Sequence, residues 1–262
     1  MRLIVAFFLS AYLIMGVGVV RLESASASRD VLVDMVHIPA GKFMMGCNRF
    51  GPQHGAPEHL VHLDGFMIDK YEVTNKRFEE VILEHELRRS VFSVCDDCPA
   101  TRISWYEAAD YCHLVGKSLP SEAQWERAAG GANGCEFPWG PEFDVKSPKG
   151  RGGLKLRDNT VPVGSFPPNR YGMHDMGGNV WEWVSDWFSG GYYFPEFLHN
   201  PRGPRGGTMK VRRGGAWSDS IVAMASGYRD WSYPFSRGFN DIGFRCAINF
   251  RVRKTNGRAD QD

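Results

Sequence analysis

The sequence lacks an excess of charge of either sign. Its 262 residues include 31 Lys and Arg against 30 Asp and Glu, which gives a formal net charge of +1. Bulk electrostatics therefore give no reason to expect nucleic acid or an anionic membrane as a partner. The hydrophobic content of 43% excludes disorder as the main state. No heptad pattern persists along the chain, which excludes a coiled coil.

Beyond its first segment, the chain has no second long apolar run. An apolar stretch at 3–20 is followed by an Ala-x-Ala pattern that ends at Ala27, which is typical of a cleaved leader. We expect residues 1–27 to be a signal peptide, with an uncleaved N-terminal membrane anchor as the alternative. Residues 28–252 are then one domain and 253–262 a polar tail. The predicted location is periplasmic or secreted, with membrane contact only if the leader is retained.

The sequence also lacks the glycine-rich motifs of several common enzyme classes. It contains no Gly-x-Ser-x-Gly elbow, and its glycine pairs match neither a Walker loop nor a dinucleotide-binding fingerprint. The cluster of His54, Glu58, His59 and His62 could bind a metal. However, side chains alternate along a strand, so that His59 and His62 would point to opposite faces. A surface loop that leads into a strand is therefore the favoured interpretation.

The chain has six cysteines, an even number, at positions 47, 95, 98, 112, 135 and 246. In an exported protein this count implies disulfides before metal binding. Two aspartates separate Cys95 from Cys98 and should raise their thiol pKa values rather than lower them. We therefore expect this pair to be a structural link within a loop and not a redox site.

Two helices are the clearest local features of the sequence. The Ser104–Glu107 and Ser121–Gln124 pairs are capping boxes, each followed by residues at helical spacing and then by glycine. A shorter helix is predicted after Thr74, which is a suitable N-cap residue. On the second of the two main helices, Glu122 and Glu126 could act as a carboxylate pair, although a solvated helix face is favoured.

The rest of the chain predicts short strands. Apolar and polar residues alternate as strand, turn and strand over 31–47, and again as a strand over 59–69. From 132 onward glycine, proline and aromatic residues dominate, with strand candidates near 161–166, 179–187, 210–217 and 242–250. The predicted class is α+β, with two main helices, short twisted antiparallel strands and little regular structure.

One segment could bind a cation. Asp175 and Glu182 flank a glycine-rich turn, so that carboxylate oxygens and backbone carbonyls can converge there. Hard oxygen ligands of this kind suit Ca²⁺, which takes six to eight of them. The spacing is not that of an EF-hand loop. From chemistry alone, a calcium site and a hydrogen-bonded turn remain equally acceptable.

The same segment resembles a known signature. The string Gly-Met-His-Asp-Met-Gly-Gly-Asn-Val-Trp-Glu-Trp at 172–183 is similar to that of the formylglycine-generating enzyme, or sulfatase-modifying factor, family. Further similar segments follow in the order of that family, at 35–46, 68–75, 104–112, 116–127, 137–140, 211–217 and 241–247. The resemblance covers nearly all of 33–250 and implies one domain with a C-type-lectin-like fold.

The resemblance also implies metal ligands and one disulfide. It places the side chains of Asp175 and Glu182 and the carbonyls of Gly178 and Val180 on calcium. A second calcium site of the family lies in a longer loop, and only Asn159 could correspond to it here. The family disulfide between the first helical region and the last strand falls on Cys112 and Cys246, while the four other cysteines allow three pairings.

The family's reaction depends on copper, and its ligands are missing here. The resemblance implies two cysteines, five residues apart, that bind Cu(I) just after the Gly214–Gly215 turn. The first position holds Asp219, the second falls within 221–224, and no cysteine lies in the segment. Because a carboxylate is a poor ligand for Cu(I), copper is not expected. The resemblance further implies a substrate groove lined by Trp181, Trp217, Asp219, Arg229 and Asp241.

These observations lead to three hypotheses. The first is an exported accessory or binding module that uses the groove for a peptide, a glycan or a small molecule, with calcium as its cofactor. The second is a divergent periplasmic oxidative enzyme of the siderophore-maturation type, with Asp219 and Arg229 as candidate catalytic residues. The third is a formylglycine-generating oxidase with non-standard copper ligands, such as Cys47.

Overall fold

The computed structural model describes residues 34–130, 134–140, 158–193 and 198–250. The expected leader at 1–27 and the expected tail at 253–262 lie outside the described residues. Within the described ranges, no helix is both long enough and apolar enough to cross a membrane.

Three helices in the described ranges begin at the capping residues that the sequence indicates, and a fourth, at 51–54, was not predicted. They are α1 at Gly51–His54, α2 at Asn75–Glu79, α3 at Trp105–Leu114 and α4 at Glu122–Ala129. Both predicted capping boxes are confirmed, because the Ser104 and Ser121 hydroxyls each accept a hydrogen bond from the backbone N–H three residues on, at 3.2 Å. Thr74 caps α2 in the same way, and α4 ends at Gly130 in the left-handed conformation.

Short strands make up the rest of the regular structure. They are β1 (Met35–Ile38), β2 (Gly41–Met45), β3 (His59–Leu63), β4 (Phe66–Asp69), β5 (Trp181–Trp187), β6 (Leu198–His199), β7 (Lys210–Arg213), β8 (Arg229–Ser232), β9 (Ile242–Phe244) and β10 (Ala247–Asn249). The strand predicted over 59–69 is in fact two strands, β3 and β4, because the chain turns at Asp64–Gly65. The strand predicted near 161–166 is wrong: Gly164 is left-handed there and Pro162 cannot donate to a ladder.

The strands form three small sheets. Their orders are β1-β4-β10, β2-β3-β6 and β8-β7-β5-β9. Pairing is antiparallel, except that β6 runs parallel to β3 and β9 runs parallel to β5. The predicted α+β class with little regular structure is confirmed.

Large rings fill the core between these elements. Trp125 of α4 packs with Val184 of β5 in one hydrophobic cluster, and Trp183 of β5 packs with Phe244 of β9 in a second cluster beneath α3. Both tryptophans are completely buried. Burial of such rings supplies much of the hydrophobic stabilisation in a domain with short elements.

All six cysteines form disulfides, between Cys47 and Cys135, Cys95 and Cys98, and Cys112 and Cys246. The pairing implied by the family resemblance is thus confirmed, as is the local link between Cys95 and Cys98. The Cys112–Cys246 bond joins α3 to the segment between β9 and β10. Disulfides in this number indicate an oxidising compartment.

The prediction that Glu122 and Glu126 lie on a solvated helix face is wrong. Both side chains are buried, because β7 and β8 supply arginines to pair with them. Glu126 forms an ion pair with Arg213, and its other oxygen accepts a hydrogen bond from the Gly46 N–H at 2.7 Å. Burial raises the pKa of Glu126 to about 7. A buried pair of this kind specifies how α4 packs on the sheet.

Candidate functional site

The turn at 175–182 lies where the sequence analysis placed an oxygen-rich site. Asp175, Gly178 and Asn179 all have left-handed backbones, with φ values of 58°, 96° and 64°. The turn is held by Glu72, which follows β4 and accepts hydrogen bonds from Asn179 Nδ2 at 2.6 Å and the Val180 N–H at 3.3 Å.

Three buried carboxylates meet at this turn, from Glu72, Asp175 and Glu182. Burial, together with the negative charges of Asp175 and Glu182, raises the pKa of Glu72 well above its ordinary value. The neighbouring cation is Arg245, which donates to both oxygens of Glu182 at 2.7 Å and to backbone carbonyls of Asp69, Lys70 and His174. When ionised, three carboxylates and one guanidinium leave a net charge of −2 in a buried region.

The donor atoms fit a hard divalent cation. Asp175 Oδ2 accepts a hydrogen bond from the Gly164 N–H at 2.6 Å. Asp175 Oδ1 is buried and has no hydrogen-bond partner within the described residues. A buried, unpaired carboxylate oxygen is costly unless a cation or water satisfies it. Asp175 Oδ1 could therefore hold a divalent cation, which would balance the excess negative charge. The oxygens of Glu72, Asp175 and Glu182 do not all lie within 4.8 Å of one another, so the three carboxylates are not already arranged around one ion.

The two carboxylates that the family resemblance assigned to calcium are not equivalent in this structure. Glu182 is bound by Arg245 and also accepts a hydrogen bond from Trp125 Nε1 at 2.8 Å.

The sequence analysis did not identify Glu72, although it lies within the family-like segment 68–75. An acidic residue just after an apolar strand was the available signal. Asn159, the candidate for a second calcium site, is exposed on a bend next to residues outside the described ranges.

At the position where the resemblance implies a copper ligand, Asp219 forms hydrogen bonds to protein groups. Its Oδ2 accepts from the indole N–H of Trp181 at 2.7 Å and from the Ala216 backbone N–H at 3.0 Å. Burial raises the pKa of the Asp219 carboxyl. Nearby, Asp241 Oδ2 accepts a hydrogen bond from the Ser218 hydroxyl at 3.1 Å. Asp219 thus closes its own turn and binds the ring of Trp181.

The expected groove residues separate into two groups. Asp219 and Asp241 are half-buried and reach solvent, whereas Trp181 and Trp217 are buried. Arg212 lies over the Trp181 ring at 4.6 Å and pairs with Asp230 at 2.6 Å. The polar surface of the expected groove is therefore formed by carboxylates and Arg212, with the tryptophans beneath.

The prediction that Arg229 lines the groove is wrong. Its guanidinium is completely buried, and Nη2 donates to Glu122 Oε2 at 2.9 Å. It also lies over the Tyr193 ring at 4.5 Å. Arg229 is buried because it neutralises the buried carboxylate of Glu122. Left unpaired at that depth, this carboxylate would strongly destabilise the fold. Arg229 belongs to the buried ion-pair network and not to the surface around Asp219.

No cysteine thiol is free to bind copper in the described structure. Asp219 occupies the first expected ligand position, Met224 is the residue nearest in type at the second, and all six cysteines of the sequence are oxidised in pairs. Cys47, suggested as a non-standard ligand, is bonded to Cys135. Cu(I) prefers thiolate and thioether ligands, so this part of the structure does not provide its usual site.

Comparison with known proteins gives a single family. The family described as "Sulfatase-modifying factor enzyme 1-like domain" matches residues 22–250. A serine/threonine-protein kinase pkn1 of Chlamydia caviae is 35% identical over 246 residues, covering 84% of this chain and 38% of that protein. The chain thus spans about two fifths of the length of this relative.

Two mouse proteins are similar over more of their own length. The formylglycine-generating enzyme of Mus musculus is 30% identical over 83% of this chain and 76% of that protein. The inactive Cα-formylglycine-generating enzyme 2 of the same organism is also 30% identical, over 81% of this chain and 85% of that protein.

Solved structures share the fold. Treponema denticola variable protein 1 superposes with a TM-score of 0.71 at 24% identity, over 82% of this chain and 94% of that one. PvdO from Pseudomonas aeruginosa superposes with a TM-score of 0.63 at 27% identity, again over 82% and 94%. These neighbours have the C-type-lectin-like fold, as the sequence resemblance implied.

Proposed function

The chain belongs to the sulfatase-modifying factor enzyme 1-like domain family, and from this membership we propose that it is an exported binding or accessory module that has lost formylglycine-generating activity. The proposal rests on one observation: at the expected copper position a carboxylate stands in place of a thiolate, and it forms hydrogen bonds that hold its own turn. Asp219 stands where a thiolate is needed and is hydrogen-bonded to Trp181 and Ala216. Every cysteine is committed to a disulfide.

The ligand of such a module binds at the surface around Asp219 and Asp241. Carboxylates and the Arg212–Asp230 pair supply polar contacts there, and the half-buried ring of Tyr228 supplies an apolar one. This combination suits a peptide, a glycan or a small polar metabolite, which uses a few placed polar groups beside an aromatic surface. The relative named as inactive is consistent with loss of activity within the family.

The proposal includes calcium as the resident cofactor. Asp175 and Glu182 would bind it, with the carbonyls of Gly178 and Val180, and Glu182 would have to give up a hydrogen bond to Arg245 to do so. Glu72 would add negative charge from the other side of the turn. When bound, calcium supplies charge balance and fixes the turn that carries Trp181. Its support is the unpartnered Asp175 Oδ1 and the excess of buried carboxylates.

A second candidate function, a divergent periplasmic oxidative enzyme, is favoured by the similarity to the mouse formylglycine-generating enzyme. Such an enzyme would need a metal or cofactor bound near Asp219. A formylglycine-generating oxidase with non-standard ligands is a third candidate, and it is disfavoured because Cys47 is in a disulfide.

Metal analysis combined with an oxygen-uptake assay separates these functions. The purified protein is loaded with calcium and Cu(I), dialysed, analysed for both metals and then assayed with a cysteine-containing sulfatase-motif peptide. We expect stoichiometric calcium, no retained copper and no peptide-dependent oxygen uptake. Asp219→Asn tests the site itself and should change ligand binding without creating turnover. Tight copper with peptide-dependent oxygen uptake would refute the proposal.

A further inference from the structure

His62 of the histidine-rich segment has partners that the sequence analysis did not identify. In the sheet β2-β3-β6, β3 and β6 run parallel, and the register places His62 beside His199. Asp64 lies two residues beyond His62, and residues two apart on an extended chain share a face. Two imidazoles and one carboxylate are thereby brought to one edge of the sheet.

The ligand atoms of these three side chains are close together. One nitrogen of each histidine and one oxygen of Asp64 all lie within 4.8 Å of one another. The two imidazole rings stack, with centroids 4.9 Å apart and an interplanar angle of 10°. His199 Nε2 is 3.4 Å from Asp64 Oδ1. Because the nitrogen lone pairs lie in the ring planes, one imidazole must rotate out of this stack before both can bind one ion at the ~2.0–2.2 Å typical of Zn²⁺.

Asn200 holds the cluster in place. Its side-chain amide donates to Asp64 Oδ2 at 2.8 Å, and its Oδ1 accepts from the Asp64 N–H at 2.9 Å. The Asn200 N–H donates to the His62 carbonyl at 2.8 Å, and its backbone is left-handed, with φ 46°. These contacts direct Asp64 Oδ1 toward His199. Outer groups that orient ligands in this way are a general feature of metal sites.

One ring nitrogen of His62 has no hydrogen-bond partner in the described structure. His62 Nδ1 is buried, and none of the described residues forms a hydrogen bond with it. Asp64 and His199 are open to solvent, with 46% and 55% of their side chains exposed. An ion can therefore enter from solvent, bind the histidines and the carboxylate, and retain water at its remaining positions.

We propose that His62, Asp64 and His199 form a binding site for a divalent first-row transition-metal ion. Two neutral nitrogens and one carboxylate are the donors that suit Zn²⁺, Fe²⁺ and related ions, and three protein ligands leave positions open. This donor set differs from the all-oxygen cluster at Asp175, which suits Ca²⁺. The site does not depend on the proposed function at Asp219.

The test is a zinc titration of the purified, tag-free protein in buffer with excess calcium, which keeps the oxygen-donor site occupied. Isothermal titration calorimetry should detect one zinc ion per chain. His199→Ala and Asp64→Asn should each weaken this binding by more than the roughly 10–100-fold that loss of an outer-shell partner costs, because each removes a direct ligand. His113→Ala, which removes an exposed histidine on α3, is the matched control and should bind zinc as the unmodified protein does.

A second measurement identifies the ligands directly. Co²⁺ replaces Zn²⁺ at such sites, and its visible absorption should appear in the unmodified protein and in His113→Ala but not in His199→Ala. Circular dichroism of each variant, with calcium bound, establishes that the fold is retained. Absence of a saturable zinc site, or equal zinc affinity in His199→Ala and the unmodified protein, would overturn the proposal.

Discussion

Asp175→Asn should change the stability of the protein in opposite directions with and without calcium. Asparagine keeps the shape of the side chain and the acceptor for the Gly164 N–H, and it tolerates the left-handed backbone at φ 58°. It removes one negative charge beside Glu72 and Glu182. Without calcium this change relieves repulsion, and with calcium it removes a ligand.

The magnitudes follow from the buried charges. Without calcium, loss of the Asp175 charge removes repulsion from Glu72, so the variant should be more stable than the unmodified protein. Calcium at roughly 100 to 1,000 times its Kd stabilises the unmodified protein by about 2.7–4.1 kcal/mol. For a domain of this size that corresponds to roughly 5–16 °C in Tm.

The assay is thermal unfolding in calcium and in chelator, for the unmodified protein, Asp175→Asn and Asp158→Asn. Asp158 is an exposed carboxylate outside the 175–182 turn, and its variant should behave as the unmodified protein does. We expect Asp175→Asn to lose most of the calcium-dependent rise in Tm. If calcium leaves the Tm of the unmodified protein unchanged, or if Asp175→Asn lowers Tm equally in both buffers, the reasoning is wrong.

Two further predictions concern the rest of the fold. Replacing both cysteines of the Cys112–Cys246 disulfide, which spans 134 residues, should reduce the free energy of unfolding by up to about 5 kcal/mol. Replacing Cys95 and Cys98, which are three residues apart, should reduce it by about 2 kcal/mol. Urea denaturation of the two double variants measures both losses, and equal losses would contradict the loop-length argument. Buried His85 has its pKa lowered to about 4 by desolvation, so its contribution to stability is present above its ordinary pKa of about 6.5 and is lost as pH falls toward 4. His85 alone should therefore lower the free energy of unfolding by about 2 kcal/mol between pH 7.5 and pH 5, whereas Glu126, whose pKa is raised to about 7, acts in the opposite direction over this range. The contribution of His85 is measured as the difference between the pH profiles of the unmodified protein and His85→Gln, and identical profiles would contradict the prediction.

Local sequence predicted those parts of the fold that depend on neighbouring residues. The capping serines Ser104 and Ser121 specify the starts of α3 and α4 without help from distant residues, and the structure confirms both. The strand candidate near 161–166 is not formed. Its backbone turns at Gly164 because Asp175, eleven residues away, accepts the Gly164 N–H.

Features that require distant partners were not predictable from spacing. Glu122 was expected to face solvent, since nothing nearby in sequence pairs with it, and its partner Arg229 is more than a hundred residues away. His62 and His199 are likewise joined by β6, a two-residue strand without a sequence signal. Glu72 lies beside Asp175 because it accepts a hydrogen bond from the side chain of Asn179, which is distant in sequence.

The position of β4 at the centre of its sheet has a consequence for biogenesis. β4 pairs on one side with β1, from the beginning of the domain, and on the other with β10, which spans 247–249. A nascent polypeptide therefore cannot complete this layer until the region around 250 has been translated. Cys246 must emerge as well before it can react with Cys112. Until then β4 has a free edge and α3 is not linked covalently to the last strands.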